Sequence, residues 1–235
     1  MTSYGQYCPI AKATEVLGER WTMLVVRELL LGSRRFGDIA RGLPTMSRTM
    51  LTKRLRQLEV GGILDRLDGE YHLTEAGQEL RPLVFGLGEW GAKWLLEEPL
   101  AEECDAEILM WWAHARLDTA PLPDRRTILH FVLRDDRRQF WVVVEDVGCS
   151  ICMHDPGFDI DAVINTDSLT LHRIWFEFET PRDALRAGRL SFDGPSAITR
   201  RLTQVLTIAP ASLMGVDDDS PRPRMRESQA MKSTR

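Results

Sequence analysis

The 235-residue sequence lacks long apolar runs, a dense set of cysteines and an overall excess of positive charge. No apolar run approaches the ~20 residues that a membrane-spanning helix needs. The N-terminus also lacks the succession of charged, apolar and small residues that forms a signal peptide. We therefore expect a cytoplasmic protein with no membrane partner. The cysteines are too scattered for a disulfide scaffold and are expected to be reduced; they are Cys8, Cys104, Cys149 and Cys152.

The net charge of -5 argues mildly against a nucleic-acid partner, because phosphate binding needs a positive surface. The distribution of charge argues the other way. Between positions 34 and 58, Asp38 is the single acid among the basic residues Arg34, Arg35, Arg41, Arg48, Lys53, Arg54 and Arg56. Acids gather elsewhere, at Glu97, Glu98, Glu102, Glu103 and positions 217–219. Such a local basic field is typical of a DNA-binding surface.

Apolar residues at helical spacing predict four helices before position 61. Pro9 is favourable in a first helical turn, Gly32 and Gly42 end helices, and Pro44 disfavours helical geometry at the residue before it. Ser47 is a good N-cap for the fourth helix, and Gly61-Gly62 ends it. The predicted helices are 9–17, 20–31, 36–43 and 48–60, and their apolar faces include Ile10, Ala13 and Leu17 in the first and Trp21, Leu24, Val25 and Leu29 in the second.

The fourth helix separates an apolar side from a basic side. Leu51, Leu55 and Leu58 form one stripe, and a helical wheel places Thr49, Lys53 and Arg56 opposite it, with Arg48 and Thr52 on the flanks. Such a face can be a solvated basic surface. It can also enter the major groove, where arginine and lysine read guanine and hydroxyls bond to bases or phosphates.

A short hairpin directly after this helix favours the DNA interpretation. Residues 63–67 and 70–73 alternate in polarity and are joined by Asp68-Gly69, a strong two-residue turn signal. The order of short helix, basic helix and hairpin is that of a winged helix-turn-helix. The predicted DNA-binding residues are Ser47, Arg48, Thr49, Thr52, Lys53 and Arg56, with Arg66 as a phosphate contact near the tip of a short wing.

The first part of the chain, about residues 7–97, resembles the HxlR-type family of bacterial transcriptional regulators. The resemblance lies in the Cys-Pro start, the GERWT segment, the RELLLGSRRF run and the LTKRLRQLE helix, in that order. It implies a homodimer that binds a palindromic or near-palindromic operator through one helix per subunit and responds to a metabolite or a reactive small molecule. The wing of this chain is shorter than in many members of that family.

A wide apolar face after the hairpin predicts the dimer contact. Pro82 is expected to kink this helix or to restart it near Leu83. Small residues at positions 86, 88 and 91 permit close helix approach. The alternative is packing against the second half of the chain. The face comprises Leu80, Leu83, Val84, Leu87, Trp90, Gly91, Trp94 and Leu95.

The predicted fold class is α+β, with a winged helix-turn-helix domain at 1–97, a linker at 98–103, a second domain at 104–215 and a disordered polar tail at 216–235. A helix is expected at 104–117 with Ile108, Trp111, Trp112 and Ala115 on one side. A meander-like sheet should follow, and then helices. The predicted strands are 127–133, 139–144, 147–153 and 159–165, and the predicted helices are 168–178, 181–187 and 194–206.

The segment from Ala162 to Leu202 resembles the C-terminal part of the sterol carrier protein type two family, in its strand, its Thr-Asp helix start, its Ala-Leu-x-x-Gly-x-Leu helix and strand, and its Gly-Pro before a last helix. The resemblance implies an apolar tunnel between sheet and helices, and so an apolar small-molecule effector. The alternative for each aromatic is ordinary core packing. The candidate lining residues are Phe131, Trp141, Trp175, Phe176, Phe178 and Phe192.

Reactive and metal-binding chemistry is weakly represented. Cys8 stands where the HxlR resemblance implies a thiol sensor, and its alternative is a small apolar contact at the dimer seam. The Cys149 to Cys152 pair lies in a predicted strand, where its odd spacing turns the two sulfurs to opposite faces. The dispersed histidines form no metal set, and no catalytic motif is present; they include His114, His130, His154 and His172. We expect no cofactor, no metal and no enzyme activity.

The leading hypothesis is thus a homodimeric DNA-binding regulator gated by an apolar effector. The alternatives are a small-molecule carrier that uses its first half only to dimerise, and a thiol-based redox regulator acting through Cys8.

Overall fold

The computed structural model describes residues 3–113, 117–146 and 148–207, and the chain divides into two units between Leu96 and Glu97. The expectations for His114, Ala115 and the 216–235 tail lie outside the described residues. Within the described ranges, no helix combines the length and the apolar character needed to cross a membrane.

The first unit contains the predicted series of helices followed by a hairpin. Its elements are α1 (Pro9–Leu17), α2 (Thr22–Leu30), α3 (Phe36–Arg41), α4 (Arg48–Val60), β1 (Leu64–Leu67), β2 (Glu70–Leu73), α5 (Glu75–Gln78) and α6 (Arg81–Trp94). Apolar residues of α2, α3, α4 and β1 meet in one core, which includes Val25, Val26, Leu29, Ile39, Leu51, Leu55, Leu58 and Leu64. The leucine stripe therefore fixes the inward side of α4.

The hairpin is confirmed, and its turn explains the Asp-Gly pair. Asp68 has φ of 50° and Gly69 has φ of 83°, the left-handed pair that a tight type I′ turn requires. Leu67 pairs with Glu70 across the turn. The Tyr71 N–H donates to the Arg34 carbonyl at 2.8 Å, so β2 also bonds to the segment before α3.

Two details of the first unit differ from the sequence prediction, and the helix break predicted at Pro82 is confirmed. The second helix begins at Thr22 because Trp21, with φ of 79°, is left-handed and cannot be helical. Ile10 is 77 % exposed, because α1 turns Ala11 inward instead. The predicted break at Pro82 is a restart, since α5 ends at Gln78 and Pro82 lies in the first turn of α6.

The second unit is a sheet with helices on one face. Its elements are α7 (Ala106–Ala113), β3 (Thr127–Leu133), β4 (Gln139–Glu145), β5 (Gly148–Cys152), β6 (Ala162–Thr166), α8 (Ser168–Trp175), α9 (Pro181–Arg186), β7 (Ser191–Asp193), α10 (Ser196–Thr199) and α11 (Leu202–Val205), with a 3₁₀ turn at Ala101–Glu103. The strand order is β5-β4-β3-β6-β7.

The meander prediction holds only for β3, β4 and β5, which pair antiparallel in sequence order. β6 instead lies beside β3 and runs parallel to it. Asp161 accounts for this placement, because its backbone N–H donates to the Ile128 carbonyl at 3.0 Å and its carboxylate accepts from the Ile128 N–H at 2.8 Å. These two bonds fix the start of β6 against β3.

Two helix predictions in this unit are also corrected. The Asp105 carboxylate accepts from the backbone N–H groups of Glu107 and Ile108, so α7 starts after Asp105. Its inward side is then Ala106, Leu109 and Met110, whereas Ile108, Trp111 and Trp112 of the predicted side are only half-buried. The predicted last helix is two short helices, and between them the Arg201 N–H donates to the carbonyl three residues back, at Ile198, instead of four.

Candidate nucleic-acid interface

The α4 helix carries most of the predicted interface. Ser47 caps it, with its hydroxyl accepting from the Met50 N–H at 3.3 Å. Leu51 and the rest of the leucine stripe hold one side in the core. The opposite side leaves Thr49, Thr52, Lys53 and Arg56 exposed, as the helical wheel predicts. Burial of one side thus orients the other toward solvent.

The charges on this exposed side are distinct from the other basic residues of the region. Among the residues that the structure describes, Arg48, Lys53 and Arg56 have no carboxylate at ion-pair distance. Their neighbours are paired within the unit: Arg35 with Glu70 at 3.1 Å, Arg41 with Asp38 at 3.1 Å, and Arg54 with Glu19 at 2.9 Å. The positive field of the sequence is therefore concentrated on one side of α4.

Arg54 is an internal residue and contributes nothing to that field. Its side chain is buried, and it donates from Nε to the Arg20 carbonyl at 2.8 Å as well as pairing with Glu19. A signal for this role is present in the sequence, because position 54 falls three residues after Leu51 and four before Leu58, on the leucine stripe. Arg54 therefore ties α4 to the turn between α1 and α2.

Arg48 lies at the start of α4 and against the start of α3. Its guanidinium carbon is 5.9 Å from the centroid of the Phe36 ring. The Thr52 hydroxyl donates to the Arg48 carbonyl at 3.0 Å, so this hydroxyl is already used as a donor. Phe36 itself packs against the core of the first unit.

Arg66 lies on β1 of the wing and not on α4. Its guanidinium carbon lies 5.5 Å from the ring of Tyr71 on the paired strand. The exposed wing also carries the acids Asp65 and Asp68 and the apolar Leu67. Arg66 is therefore set among negative charges, unlike the basic side of α4.

Comparisons with known proteins match this part of the chain. The sequence profile of the HxlR-like helix-turn-helix family matches residues 16–99. An uncharacterized HTH-type transcriptional regulator of Synechocystis, sll1512, is 38% identical over 112 residues, which cover 45% of this chain and 80% of that protein. The uncharacterized regulator YvaP of Bacillus subtilis is 36% identical over 98 residues, which cover 38% of this chain and 91% of that protein.

The chain belongs to the HxlR-like helix-turn-helix family. It is therefore a transcriptional regulator of the HxlR type. Among solved structures, quinone-bound YodB of B. subtilis is 34% identical to this chain, with a TM-score of 0.35. The similarity covers 37% of this chain and 100% of that chain. The family profile ends at residue 99, before α7 begins at Ala106.

The HxlR-type unit also carries the apolar side of α6. Leu80, Val84 and Phe85 are buried in its core. Large apolar residues one and two turns apart on another side of the helix remain exposed in the single chain: Leu83 at 60%, Leu87 at 54%, Trp90 at 52% and Trp94 at 64%. On either side of this stripe, Gly86 and Gly91 have no atom within 4 Å of where a Cβ would stand.

The structure divides the six candidate aromatics of the second unit. Phe131 and Trp175 lie fully buried between sheet and helices, and Phe176 and Phe192 pack partly buried against that core. Trp141 lies on the other face of the sheet, where it packs with Ile128 and Val143, because alternate residues of a strand point to opposite faces. Phe178 is 37% exposed. Trp141 therefore cannot line a cavity on the helix side of the sheet.

The cysteines differ in their surroundings. Cys149 packs against the helix-side core and Cys152 against the Trp141 cluster, which confirms that their sulfurs point to opposite faces. Burial raises the pKa of the Cys149 thiol to about 11. Burial also raises the pKa of Cys104, and nearby acids add to the shift. Cys8 is half-buried and is the N-cap residue of α1.

The histidines do not converge. His130 stacks on Trp141 with ring centroids 4.6 Å apart, whereas His154 is exposed in the loop after β5. Burial lowers the pKa of His172, whose Nδ1 lies 2.8 Å from the Ser168 carbonyl oxygen. No cluster of three histidine, cysteine or acidic side chains suited to a metal ion occurs within the described ranges.

Proposed function

We propose that this HxlR-type regulator binds duplex DNA as a homodimer, with α4 of each subunit in the major groove, and that its second unit binds an apolar effector. The observation that carries the DNA-binding proposal is the exposed side of α4. There Arg48, Lys53 and Arg56 present positive charge that no described carboxylate neutralises, while the leucine stripe fixes the helix in the core.

Charge without an internal partner favours a phosphate-bearing ligand. An arginine already paired with a carboxylate must break that pair before it can contact DNA, whereas Lys53 and Arg56 only exchange water and counterions. Each phosphate that is neutralised releases counterions, so affinity should fall with salt at a log-log slope of about -0.9 per phosphate. Thr49 lies between these residues on the same side and can bond to a base edge or a phosphate.

The test is the variant Lys53→Ala/Arg56→Ala, measured by fluorescence anisotropy with duplex DNA from the protein's own promoter region. We expect binding to be lost while the oligomeric state and melting temperature persist. The matched control is Arg137→Ala/Arg182→Ala, which removes two exposed positive charges from the second unit and should leave affinity unchanged. Salt-sensitive DNA binding that survives in the α4 variant would show that α4 is not the interface.

The homodimer proposal rests on the exposed side of α6. Leu83, Leu87, Trp90 and Trp94 form a continuous apolar stripe that water solvates in the single chain, and covering it removes apolar surface from water. A second copy offers the same stripe, so a two-fold arrangement covers both at once. Two α4 helices in one dimer can then occupy two half-sites.

The effector proposal rests on the architecture of the second unit. β6, α8, α9, β7 and α10 follow one another in the order that the sterol carrier resemblance implies, with Asp167 capping α8. Phe131, Trp175, Phe176 and Phe192 gather on the helix side of the sheet, where an apolar ligand would lie. A ligand that binds one conformation better than another shifts the population and so changes DNA affinity.

A second mode of regulation uses Cys8 as a thiol sensor. The half-exposed Cys8 thiol lies at the N-cap of α1, where a small oxidant can reach it. We expect Cys8→Ser to bind DNA like the wild type but to lose its response to diamide or a quinone in an anisotropy assay. A normal oxidant response in Cys8→Ser would exclude this mode and leave the effector-gated one.

A further inference from the structure

The contact of Arg48 with the Phe36 ring sets Arg48 apart from the other exposed basic residues of α4. Arg48 is the first residue of α4, and Phe36 is the first residue of α3. The 5.9 Å distance between the guanidinium carbon and the ring centroid lies within the ~6 Å limit for a cation–π contact. The two helix starts of the helix-turn-helix therefore meet through this pair.

The Phe36 ring is itself held in place. It packs partly buried against the core of the first unit, which contains Ile39 from the next turn of α3. A ring fixed by the core offers a fixed surface for the guanidinium. An arginine side chain that is free in solution loses rotamer entropy when it bonds to a partner. Contact with the Phe36 ring restricts the Arg48 side chain before DNA binds, so less rotamer entropy is lost on binding.

The donors of Arg48 are also available, because among the described residues its guanidinium makes no hydrogen bond or ion pair. A cation–π contact uses the charge of the guanidinium and does not consume its N–H donors. The arginines held by carboxylates, such as Arg35 and Arg54, have committed those N–H groups to acids. Lys53 and Arg56 have no ring contact within the described part of the chain. Arg48 thus has a guanidinium restricted by the ring and N–H donors that can form two parallel hydrogen bonds to one partner.

We propose that Arg48 reads a guanine in each half-site and that Phe36 is the positioning residue that orients it, an inference that rests on the proposed entry of α4 into the major groove. The O6 and N7 atoms of guanine form the acceptor pair that matches two parallel guanidinium N–H groups. The first turn of a recognition helix is also the part that contacts base edges. Lys53 and Arg56 then supply phosphate or additional base contacts further along α4.

The experiment begins with the full-length protein and a pool of randomised duplexes. Selection should recover sites with a guanine at one fixed position in each half-site. Arg48→Ala should lose that preference and bind the selected site about tenfold more weakly or worse. Arg48→Lys should also lose it, because lysine keeps the charge without the planar, bidentate edge. Arg20→Ala is the matched control, since Arg20 is exposed and stacks on Trp21 at 5.4 Å, outside the predicted interface.

The role of Phe36 is tested by ring removal and rescue. Phe36→Leu keeps an apolar side chain but removes the ring, and we expect about a two- to fivefold loss of affinity per half-site with a weaker guanine preference. Phe36→Tyr keeps the ring and should behave like the wild type. Melting curves of both variants show whether the unit remains folded. If Phe36→Leu does not fold, Arg48→Lys and Phe36→Tyr still test the pair.

Three outcomes would overturn the inference separately from the proposed function. Equal weakening of all sequences by Arg48→Ala, with a smaller salt slope, would make Arg48 a phosphate contact. A wild-type guanine preference in Arg48→Ala would remove Arg48 from recognition altogether. An unchanged preference in a folded Phe36→Leu would remove the positioning role. In each case, loss of binding in Lys53→Ala/Arg56→Ala would still support DNA binding through α4.

Discussion

Individual side chains decide which positive charges of the first unit are available to a ligand. Arg54 illustrates the division, because it shares the helix of Lys53 and Arg56 but is buried against Glu19 and the Arg20 carbonyl. Gly42, at the end of α3, is likewise needed for packing inside the unit and not for binding, since a Cβ at this position would collide with the buried carboxylate of Glu28. A residue's type in the sequence therefore says less about DNA contact than the side of the helix on which it lies.

The exposed acid Asp68 at the tip of the wing allows a test of whether the wing approaches DNA. Asp68→Asn removes one negative charge but keeps a residue that tolerates the left-handed conformation and forms an Asn-Gly turn. If the wing approaches the DNA backbone, affinity should rise about two- to fourfold at low salt, and the gain should shrink as salt screens the charge. Anisotropy titrations at two salt concentrations measure this.

Asp159→Asn is the control for the wing variant, because Asp159 is an exposed acid in the second unit and its removal changes the net charge equally. Unchanged affinity in Asp68→Asn, or the same gain in both variants, would place the wing away from the phosphates. Arg66 would then have no role in binding.

Among the elements, α4 and the hairpin could be predicted from the sequence because local chemistry decides them. The Ser47 cap, the leucine stripe and the Asp68-Gly69 turn each act within a few residues. The parallel pairing of β3 with β6 could not be predicted from strand periodicity, because it depends on Asp161 meeting Ile128 across a long stretch of chain. The same limit applies to the candidate interface. Helical spacing predicted which residues of α4 are exposed, but the Phe36 contact of Arg48 joins two different helices.

The α6 helix provides a prediction of assembly. Leu87→Glu/Trp90→Glu places two negative charges on the exposed apolar stripe, where a second copy would have to desolvate them. We expect the dimer to dissociate to a monomer in size-exclusion chromatography with light scattering. DNA affinity should fall strongly, because each half-site is then bound alone.

The matched control for α6 is Leu100→Glu, at a leucine that is 57% exposed in the second unit and outside the stripe. This variant should remain dimeric. A Leu87→Glu/Trp90→Glu protein that keeps the mass of a dimer would show that another surface joins the subunits.

At the scale of the whole molecule, the two units differ in architecture. The HxlR-like profile matches residues 16–99, which include most of the helical first unit, whereas the second unit carries a mixed five-stranded sheet. Regulation by a small molecule requires that the second unit bind it and that binding favour one arrangement of the dimer.

Ligand-dependent stability tests this requirement. In a thermal-shift screen of apolar and aromatic compounds with the full chain, we expect at least one compound to raise the melting temperature, because a ligand that binds only the folded state stabilises it by about 2.7 kcal/mol at 100 times its Kd. Phe176→Leu should reduce the shift, since Phe176 packs against the helix-side core. Phe158→Leu, at an exposed phenylalanine in the loop before β6, should not. The absence of any stabilising compound would contradict the effector proposal.

The parallel pairing of β3 with β6 also affects the order in which the two units fold during translation. Contacts within the first unit join helices and a hairpin that are close in sequence, and such local contacts form quickly. β3 must wait for β6, because Leu129 pairs with Ala162 only after the β4 and β5 segments have left the ribosome. Domains made first generally fold first. During translation the first unit can therefore fold while the sheet of the second unit still lacks β6.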